Sequence, residues 1–386
     1  MTREEGVWLW LDRSRGIGPG RARQLVDYFG GEEALWEADT EEIAQTVGRQ
    51  AAQGLQAGRN GEALNAFVRR CREKGVRIVT PASEHYPALL RDLYDPPCAL
   101  YCLGDLSLLD GELLTIVGTR RHTQYGLKAT RKLAGDLAAA GVTVVSALTE
   151  GLDEAALESA LDAGGRAIAL LACGPDGSAG AYSEELQRRV AEEGLIVSEY
   201  APGTAGSRAS FQARNRLLAG MTRGTLVTEA AEKSGTLLVT ELAMEYGREV
   251  FTVPGNIDSP ASYATNRLMR TSAEIVLEAK DVLNVLGLSA LEMGTEKAAA
   301  VSLNEEEKSV MEHLKREPLS FDQLIIKTGF AAAKLNSLLT MLQLKCIIIP
   351  YLMQVIDFKS IQTKFPKHFI PVYGNEWQHS MFSNVF

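Results

Sequence analysis

The sequence predicts an α/β fold, in which a doubly wound parallel sheet follows a small helical domain and precedes a second helical module. Between residues 113 and 286, short runs rich in valine, isoleucine and leucine alternate with helical stretches. The first 70 residues lack this alternation and read as short helices. Residues 304–349 carry three helical patterns in succession, which is typical of a compact helical module.

The N-terminal region, residues 1–70, contains one turn of special interest. Gly16–Pro19, followed by Arg21 and Ala22, resembles the turn of a helix-hairpin-helix. Glycine amides at such a helix N-terminus can bind a phosphate. A tight turn between two packed helices uses the same residues, because glycine and proline are common in turns. The motif alone therefore leaves DNA contact and packing both open.

The central region, residues 71–286, shows the pattern of right-handed βαβ units. Its strands are dominated by branched apolar residues, as burial on both faces of a sheet requires. In chain order the predicted elements are strand LLTIVG, helix TQYGLKATRKLAGDLAAA, strand VTVVS, helix DEAALESALDAG, strand AIALLA, helix 183–193, strand LIVSEY, helix RNRLLAG, strand TLVTEA, helix SGTLLVTELAMEYG and strand EVFTVPG.

The C-terminal part divides into a linker, a module and a tail. Residues 287–302 are small and polar, which favours a linker. Residues 303–350 hold three helical patterns and an apolar strand, typical of a winged helix. Residues 351–386 are rich in aromatics and show no clear period, and the run KCIIIPYLMQ at the end of the module lacks the glycine turn of a winged-helix hairpin. The tail is interpreted as an unusual extension, a truncated or frameshifted end, or an artefact.

Composition excludes several classes. No apolar run approaches about 18 residues, and the start lacks a basic and apolar leader, so neither a membrane span nor a secretory signal is expected. The five scattered cysteines favour a reducing cytoplasm over a disulfide framework or a metal site, and no cofactor is expected. The net charge is −9, so any binding of nucleic acid must come from a local basic patch.

Ligands of open doubly wound sheets bind outside the carboxyl ends of the strands. After the strand LLTIV comes Gly118-Thr119-Arg120-Arg121, which is not a dinucleotide fingerprint. Its glycine, hydroxyl and two guanidinium groups suit an anionic ligand. A structural salt bridge would use the same arginines equally well.

A second candidate is the segment from Ser207 to Arg216, in which arginines flank a phenylalanine just before a helix. Arginine pairs with phosphate, and a phenyl ring can stack on a base. A helix start with Phe211 in the core is the alternative. The candidate residues of this segment are Arg208, Phe211, Arg214, Asn215 and Arg216.

Two further strand ends carry polar groups. Ser234-Gly235-Thr236 stands at a helix N-terminus, where it can bind a ligand or merely cap the helix. Residues 253–256, VPGN, end the last long strand, where they can meet a ligand or form only a turn. Asp153 is interpreted as a helix cap. No nucleophile, base and acid stand out as a catalytic set.

Taken in order, these motifs resemble those of the DNA-processing protein A (DprA/Smf) family. The resemblance runs from the N-terminal helices to about Asp281, and the helical module is similar to the family's C-terminal winged helix. The matching stretches are Tyr86-Pro87, DPPCALYCLGD, IVGTRRHTQYG, VVSALTEGLDEAAL, SEYAPG, FQARNRLLAG, TLVTEAAEKSGTLLVTELA, GREVFTVPGNIDSP and TNRLM.

The resemblance implies an extended Rossmann-like sheet in a homodimer that has no enzymatic activity. It implies a recombination mediator that binds and protects single-stranded DNA and loads the RecA recombinase on it during natural transformation. The pocket residues implied by the resemblance are Arg120, Arg208, Phe211, Arg214, Asn215, Arg216, Ser234, Gly235 and Thr236.

The chain departs from the family pattern around this pocket. Glu150 stands where the family has an arginine, so one phosphate contact is lost and repulsion is added. Three outcomes are open: weak binding of single strands, a different ligand, or binding retained through the remaining residues, which we favour. The other altered positions in question are Ala147, Leu157, Ala261 and Ala264.

Two alternatives to a DNA-binding mediator are open. Glu229 with Ser234-Gly235-Thr236 partly resembles the P-G-G-x-G-T-x-x-E run of nucleotide phosphoribohydrolases, but the paired glycines are missing and Glu241 comes five residues after Thr236 rather than three. A divergent nucleotide-binding protein or enzyme is one alternative. A paralogue kept for protein interaction without DNA binding is the other.

Overall fold

The computed structural model describes residues 1–177, 183–271 and 273–288, and in the C-terminal part residues 306, 308–310, 313, 321–344, 348–351 and 370–373. The chain divides into two compact units, Met1–Thr295 and Glu296–Phe386. No helix within these described ranges is long and apolar enough to cross a membrane. The first unit contains the strand ends that carry the candidate site.

The N-terminal helices pack around their own core. Trp10 is buried there, with the Trp36 ring edge-on to it at 5.3 Å between centroids. Gly18 and Pro19 begin the second helix, so the glycine-rich segment does form a turn between two helices. The helices of this part are α1 (Arg3–Arg13), α2 (Pro19–Phe29), α3 (Glu32–Glu37), α4 (Thr40–Val47), α5 (Arg49–Gly58) and α6 (Gly61–Glu73).

The described residues form a nine-stranded sheet in the order β1-β2-β6-β5-β4-β3-β7-β8-β9. Every neighbouring pair from β6 to β9 is parallel, as the alternating pattern predicts, while β1 and β2 extend the sheet with antiparallel pairings. The strands are β1 (Arg77–Val79), β2 (Leu100–Gly104), β3 (Leu113–Val117), β4 (Thr143–Ala147), β5 (Arg166–Leu171), β6 (Leu195–Ser198), β7 (Gly224–Val227), β8 (Glu249–Thr252) and β9 (Glu274–Ile275).

Helices cover both faces of the sheet, and the strand residues alternate between two cores. Leu114 and Ile116 of β3 belong to one core, and Leu113 and Val117 belong to the other. This alternation is the period of two that a pleated strand imposes. The helices are α7 (Ala88–Arg91), α8 (Gln124–Ala139), α9 (Leu152–Asp162), α10 (Glu184–Glu193), α11 (Arg208–Gly220), α12 (Thr236–Glu245), α13 (Tyr263–Leu268) and α14 (Ala279–Val285).

One helix begins earlier than its apolar pattern indicates. The sequence predicts a helix from Arg214, whereas α11 begins at Arg208. The reason is a capping box, in which the Ser207 and Ser210 side chains accept hydrogen bonds from each other's backbone amides. The extra turns bring Arg208 and Phe211 onto the helix.

The second unit contains helices α15 (Phe321–Thr328) and α16 (Ala332–Leu344), at the second and third helical patterns of the predicted module. Most of the first pattern, residues 303–318, lies outside the described residues. Strand β10 (Ile348–Tyr351) pairs in parallel with β11 (Ile370–Tyr373), which lies in the tail. A parallel pair needs a long connection, so these two strands are not the tight hairpin expected of a winged helix.

Candidate nucleic-acid interface

The sheet has a topological switch point at β3. The chain runs from β3 through β4 and β5 to β6 on one side, then returns to place β7 on the other side of β3. A crevice at the carboxyl ends of the strands is the usual ligand site in such sheets. The loop after β3, which carries Arg120, therefore occupies the central position of this edge.

Two acidic residues hold the loop after β3. The Gly118 amide donates a hydrogen bond to Asp153 Oδ1 at 3.0 Å. The backbone amide and the hydroxyl of Thr123 donate to the two carboxylate oxygens of Glu229 at 2.9 Å and 2.5 Å. Glu229 is only 1% exposed. The two carboxylates thus fix both ends of the segment that exposes Arg120 to solvent.

Asp153 does not cap its helix, contrary to the prediction from sequence. Gly151 is the N-cap residue of α9, and the Asp153 carboxylate reaches across to the loop after β3 instead. Burial raises the pKa of Asp153 to about 6, while the Gly118 amide and the guanidinium groups of Arg214 and Arg120 oppose this rise. One partly buried carboxyl therefore lies within the electrostatic reach of two predicted site residues.

The first turns of α11 carry three predicted residues, each one helical turn from the next. Arg208 is exposed, Phe211 is half-buried against the core, and Arg214 is buried. The guanidinium carbon of Arg214 lies 5.7 Å from the Phe211 ring centroid. Arg214 Nη1 donates to the carbonyl of Leu170, near the carboxyl end of β5, at 3.5 Å. Phe211 thus combines a core contact with partial exposure beside Arg214.

Asn215 and Arg216 are also largely covered by the rest of the fold. Asn215 is 9% exposed, and its Oδ1 accepts a hydrogen bond from Arg214 at 3.4 Å. Arg216 forms an ion pair with Glu199 and a second with Asp95 at 3.4 Å. Burial raises the pKa of Glu199 to about 7, against the lowering effect of Arg216. The Arg216 guanidinium therefore serves an internal ion-pair cluster.

The Ser234-Gly235-Thr236 turn borders the loop after β3 from the β7 side. Gly235 is the N-cap residue of α12, and Ser234 Oγ accepts a hydrogen bond from the Thr236 amide at 3.3 Å. Thr236 Oγ1 donates to the carbonyl of Gly118 at 3.3 Å. The structure therefore brings this turn and the Arg120 loop into direct contact.

The departures from the family pattern are mostly hidden from solvent. Leu157 is fully buried among core residues of α8 and the sheet, Ala147 is fully buried at the end of β4, and Ala264 is 2% exposed. Ala261 is half-buried. Glu150 alone among these five is exposed, in the turn between β4 and α9. Among these five positions, the only fully exposed change is therefore an acidic side chain.

A strand-end crevice bordered by arginines and a half-buried phenylalanine defines a Rossmann-like protein with a site suited to anionic ligands. Comparison with known proteins identifies the family. The family model of DNA recombination-mediator protein A matches residues 77–287, and that of the DprA winged helix domain matches residues 294–345. The chain belongs to the DNA recombination-mediator protein A (DprA/Smf) family.

Individual relatives agree with this assignment. Protein Smf of Synechocystis sp. is 34% identical over 76% of this chain and 75% of its own length. DNA processing protein DprA of Streptococcus pneumoniae is 37% identical over 51% of this chain and 70% of its own length. The X-ray structure of DprA from Streptococcus pneumoniae covers 74% of this chain and 98% of its own, with 30% identity and a TM-score of 0.65.

Sequence reasoning missed the roles of two residues. It interpreted Asp153 as a cap of its own helix, although the hydrogen-bond partner of its carboxylate, Gly118, is 35 positions away. It also passed over Gly151, which has φ of +109° and no room for a side chain, since a Cβ there would lie 2.7 Å from Arg120 Cα. The alternation of strands and helices was the available signal, because it predicts that these strand ends share one edge.

Proposed function

We propose that this chain binds single-stranded DNA at the crevice between the loop after β3 and the start of α11. In this proposal it acts in the cytoplasm as a homodimeric recombination mediator, which protects single strands and loads the RecA recombinase on them during natural transformation. Membership of the DNA recombination-mediator family supports the mediator role. The arrangement of arginines and Phe211 supports the choice of a single strand as ligand.

The observation that carries the proposal is the position of Asp153. Its carboxylate holds the Gly118 amide and lies within the influence of both Arg120 and Arg214. The loop after β3 and the helix α11 therefore meet around one acidic group, although they are far apart in sequence. A mediator needs to hold a flexible polyanion, and this meeting point supplies cations beside an aromatic ring.

Each residue has a distinct part in the proposed binding. Arg120 and Arg208 are exposed and bind phosphates, aided by the free amides at the N-terminus of α11. Phe211 stacks on a base, which suits single strands because every base has a π-face. Arg214 supports the Phe211 ring from below. Arg216 holds α11 against Glu199 and Asp95 rather than contacting DNA.

Titration of fluorescent oligonucleotides by anisotropy at two salt concentrations tests the proposal. We expect tight, salt-sensitive preference for single strands over duplex. The Phe211→Ala variant should lose about 1–3 kcal/mol of binding free energy by lost stacking. Phe211→Leu is the matched control, because it keeps apolar packing against the core and removes only the ring.

The outcomes separate stacking from folding. If Phe211→Leu binds as weakly as Phe211→Ala while both remain folded, the ring itself is required. If both bind like the parent chain, the stacking site is wrong. Absence of single-strand binding by the parent chain at low salt would reject the proposed ligand. Assembly of RecA on strands coated with single-strand-binding protein, with and without this chain, then tests the loading step.

A further inference from the structure

A second basic surface lies outside the crevice, at the end of α6. In a chain of net charge −9, residues 69–77 (RRCREKGVR) carry five basic side chains and one acidic one. Arg13 of α1 adds to this run, because its guanidinium carbon lies 3.7 Å from the Phe67 ring centroid. Arg70 approaches the same ring at 5.8 Å. We call Arg13, Arg70 and Lys74 the α6 basic surface.

The three cations share one neighbourhood. All are exposed, and the buried Cys71 thiol lies among them. Burial raises the pKa of this thiol, while Arg13, Arg70 and Lys74 each act to lower it. Stacking on Phe67, which is itself 9% exposed, holds the two guanidinium groups at the surface, where Arg13 also hydrogen-bonds to the Tyr101 hydroxyl.

Neither Arg13 nor Arg70 lies within 4 Å of a carboxylate oxygen in the described part of the chain, although the charge of Arg13 acts to lower the pKa of Asp12, which burial raises. Asp12 is next to Arg13, but its carboxylate accepts a hydrogen bond from the Tyr101 hydroxyl at 2.6 Å. Glu73, the one acidic residue of the run 69–77, is exposed at the end of α6. The surface therefore keeps two cations for a partner.

Lys74 connects this surface to the border of the crevice. Its ammonium forms an ion pair with Asp176, in the loop after β5, at 2.6 Å. The other oxygen of Asp176 accepts a hydrogen bond from the Gly203 amide at 2.7 Å. The segment from Gly203 leads directly to Ser207 and Arg208 at the start of α11. The α6 basic surface thus adjoins the chain segment that positions the proposed stacking site.

We propose that a single strand held at the crevice continues across the α6 basic surface, where Arg13 and Arg70 bind its phosphates. This inference rests on the proposed function. The guanidinium groups of Arg13 and Arg70 cover the Phe67 ring, so this ring is not free to stack on a base. The surface therefore contacts the phosphates of the DNA and does not distinguish between bases. Grooves that bind along a single strand combine such cations with separate stacking residues. The affinity of a single strand should therefore rise with its length until the strand fills both the crevice and the α6 basic surface.

The test compares short and long oligothymidines with the double variant Arg13→Gln/Arg70→Gln. Short strands that fill only the crevice should bind the parent and the variant equally. For long strands, the slope of log affinity against log salt should fall by about 1.4, since each single-strand phosphate contact contributes about 0.7. If the two contacts contribute nothing at 1 M salt, this corresponds to about 25-fold weaker binding at 0.1 M.

Two control variants interpret the result. Arg69→Gln/Arg72→Gln removes the same amount of charge, both from α6, at positions that face other directions than Arg70, so its slope should stay near that of the parent. Arg13→Lys/Arg70→Lys keeps the charges, so it should largely retain long-strand binding if the contacts are electrostatic. Thermal unfolding of every variant identifies any that fail to fold. If the double glutamine variant fails, the single variant Arg70→Gln keeps the test available, and its slope for long strands should fall by about 0.7.

The outcomes distinguish the two proposals. Equal long-strand binding by the parent and the glutamine variant would overturn the α6 assignment and leave the crevice intact. A titration of the same variants with labelled polyglutamate tests the other polyanion: if the glutamine variant loses polyglutamate binding and keeps DNA binding, the α6 assignment is overturned and the surface binds acidic protein segments. Failure of the parent chain to bind short or long strands would overturn the proposed function and this inference together.

Discussion

Gly151 and the backbone of Arg120 are in a contact that admits no side chain. Gly151 has φ of +109°, and a Cβ on it would lie 2.7 Å from Arg120 Cα and 2.9 Å from the Thr119 carbonyl oxygen. The turn after β4 therefore supports the exposed arginine of the turn after β3. The geometry of the crevice depends on this contact between two strand ends.

We expect Gly151→Ala to displace the Arg120 loop and to weaken single-strand binding. Gly141→Ala is the matched control, because Gly141 also has positive φ, of +92°, but has open space around its Cβ position. The control should lose about 1–2 kcal/mol of unfolding free energy from backbone strain alone. Gly151→Ala should lose more unfolding free energy than the control, because its Cβ would also clash with the backbone of Arg120. Urea unfolding and anisotropy check both, and equal DNA binding by both variants would contradict the expectation.

Arg216 and Arg120 should behave in opposite ways when replaced. Arg216 and Glu199 each have side chains only 12% exposed, so Arg216→Gln leaves a buried carboxylate without its cation. The free energy of unfolding should fall by about 3–5 kcal/mol. Arg120 is exposed, so Arg120→Gln should change the free energy of unfolding by less than about 0.5 kcal/mol. The same substitution should weaken DNA binding. Urea unfolding of both variants, with anisotropy, measures this, and a stable Arg216→Gln would argue against an internal role.

Restoring a cation at position 150 should strengthen DNA binding. Glu150 is exposed and immediately precedes Gly151, so Glu150→Arg places a guanidinium beside the Arg120 loop. The slope of log affinity against log salt for single strands should steepen by about 0.7 for one added phosphate contact. Glu245→Arg, at the exposed end of α12, makes the same charge change elsewhere. If both variants gain equally, the effect belongs to net charge and not to the crevice.

The stability of the fold should increase as the pH is lowered from about 7.5 to 5.5. Burial raises the pKa of Asp12 and Asp153 to about 6 and that of Glu199 to about 7. In this range the folded chain binds more protons than the unfolded chain, so acidification favours folding. This contribution is complete below the unfolded pKa values and is lost as the pH rises through the folded ones.

Urea midpoints at several pH values measure this effect. Asp12→Asn is the matched variant, because an amide oxygen can still accept the Tyr101 hydrogen bond but does not titrate. Its stability should depend less on pH than that of the parent. A midpoint that falls steadily between pH 7.5 and 5.5 in the parent would show that these carboxyls are not protonated more readily in the folded state.

Much of the fold could be predicted because its determinants are local. Alternating apolar runs predicted β3 to β8 and their covering helices, since strands buried on both faces must be continuously apolar. The start of α11 was missed by two turns, because Arg208 to Ala213 is polar and the helix depends on the Ser207–Ser210 capping box. The boundary near residue 70 and the linker 287–302 stay predictions.

By itself, the sequence determined the order of the elements, the strand-end motifs and the family to which they are similar. The tertiary structure decided which of those motifs lie near one another. Arg120 and Arg214 both act on Asp153 because parallel strands end at one edge, whereas Arg216 forms an ion pair with Glu199. Neighbouring residues on a helix point in different directions, so adjacency in sequence cannot reveal which arginine meets a ligand and which meets a buried carboxylate.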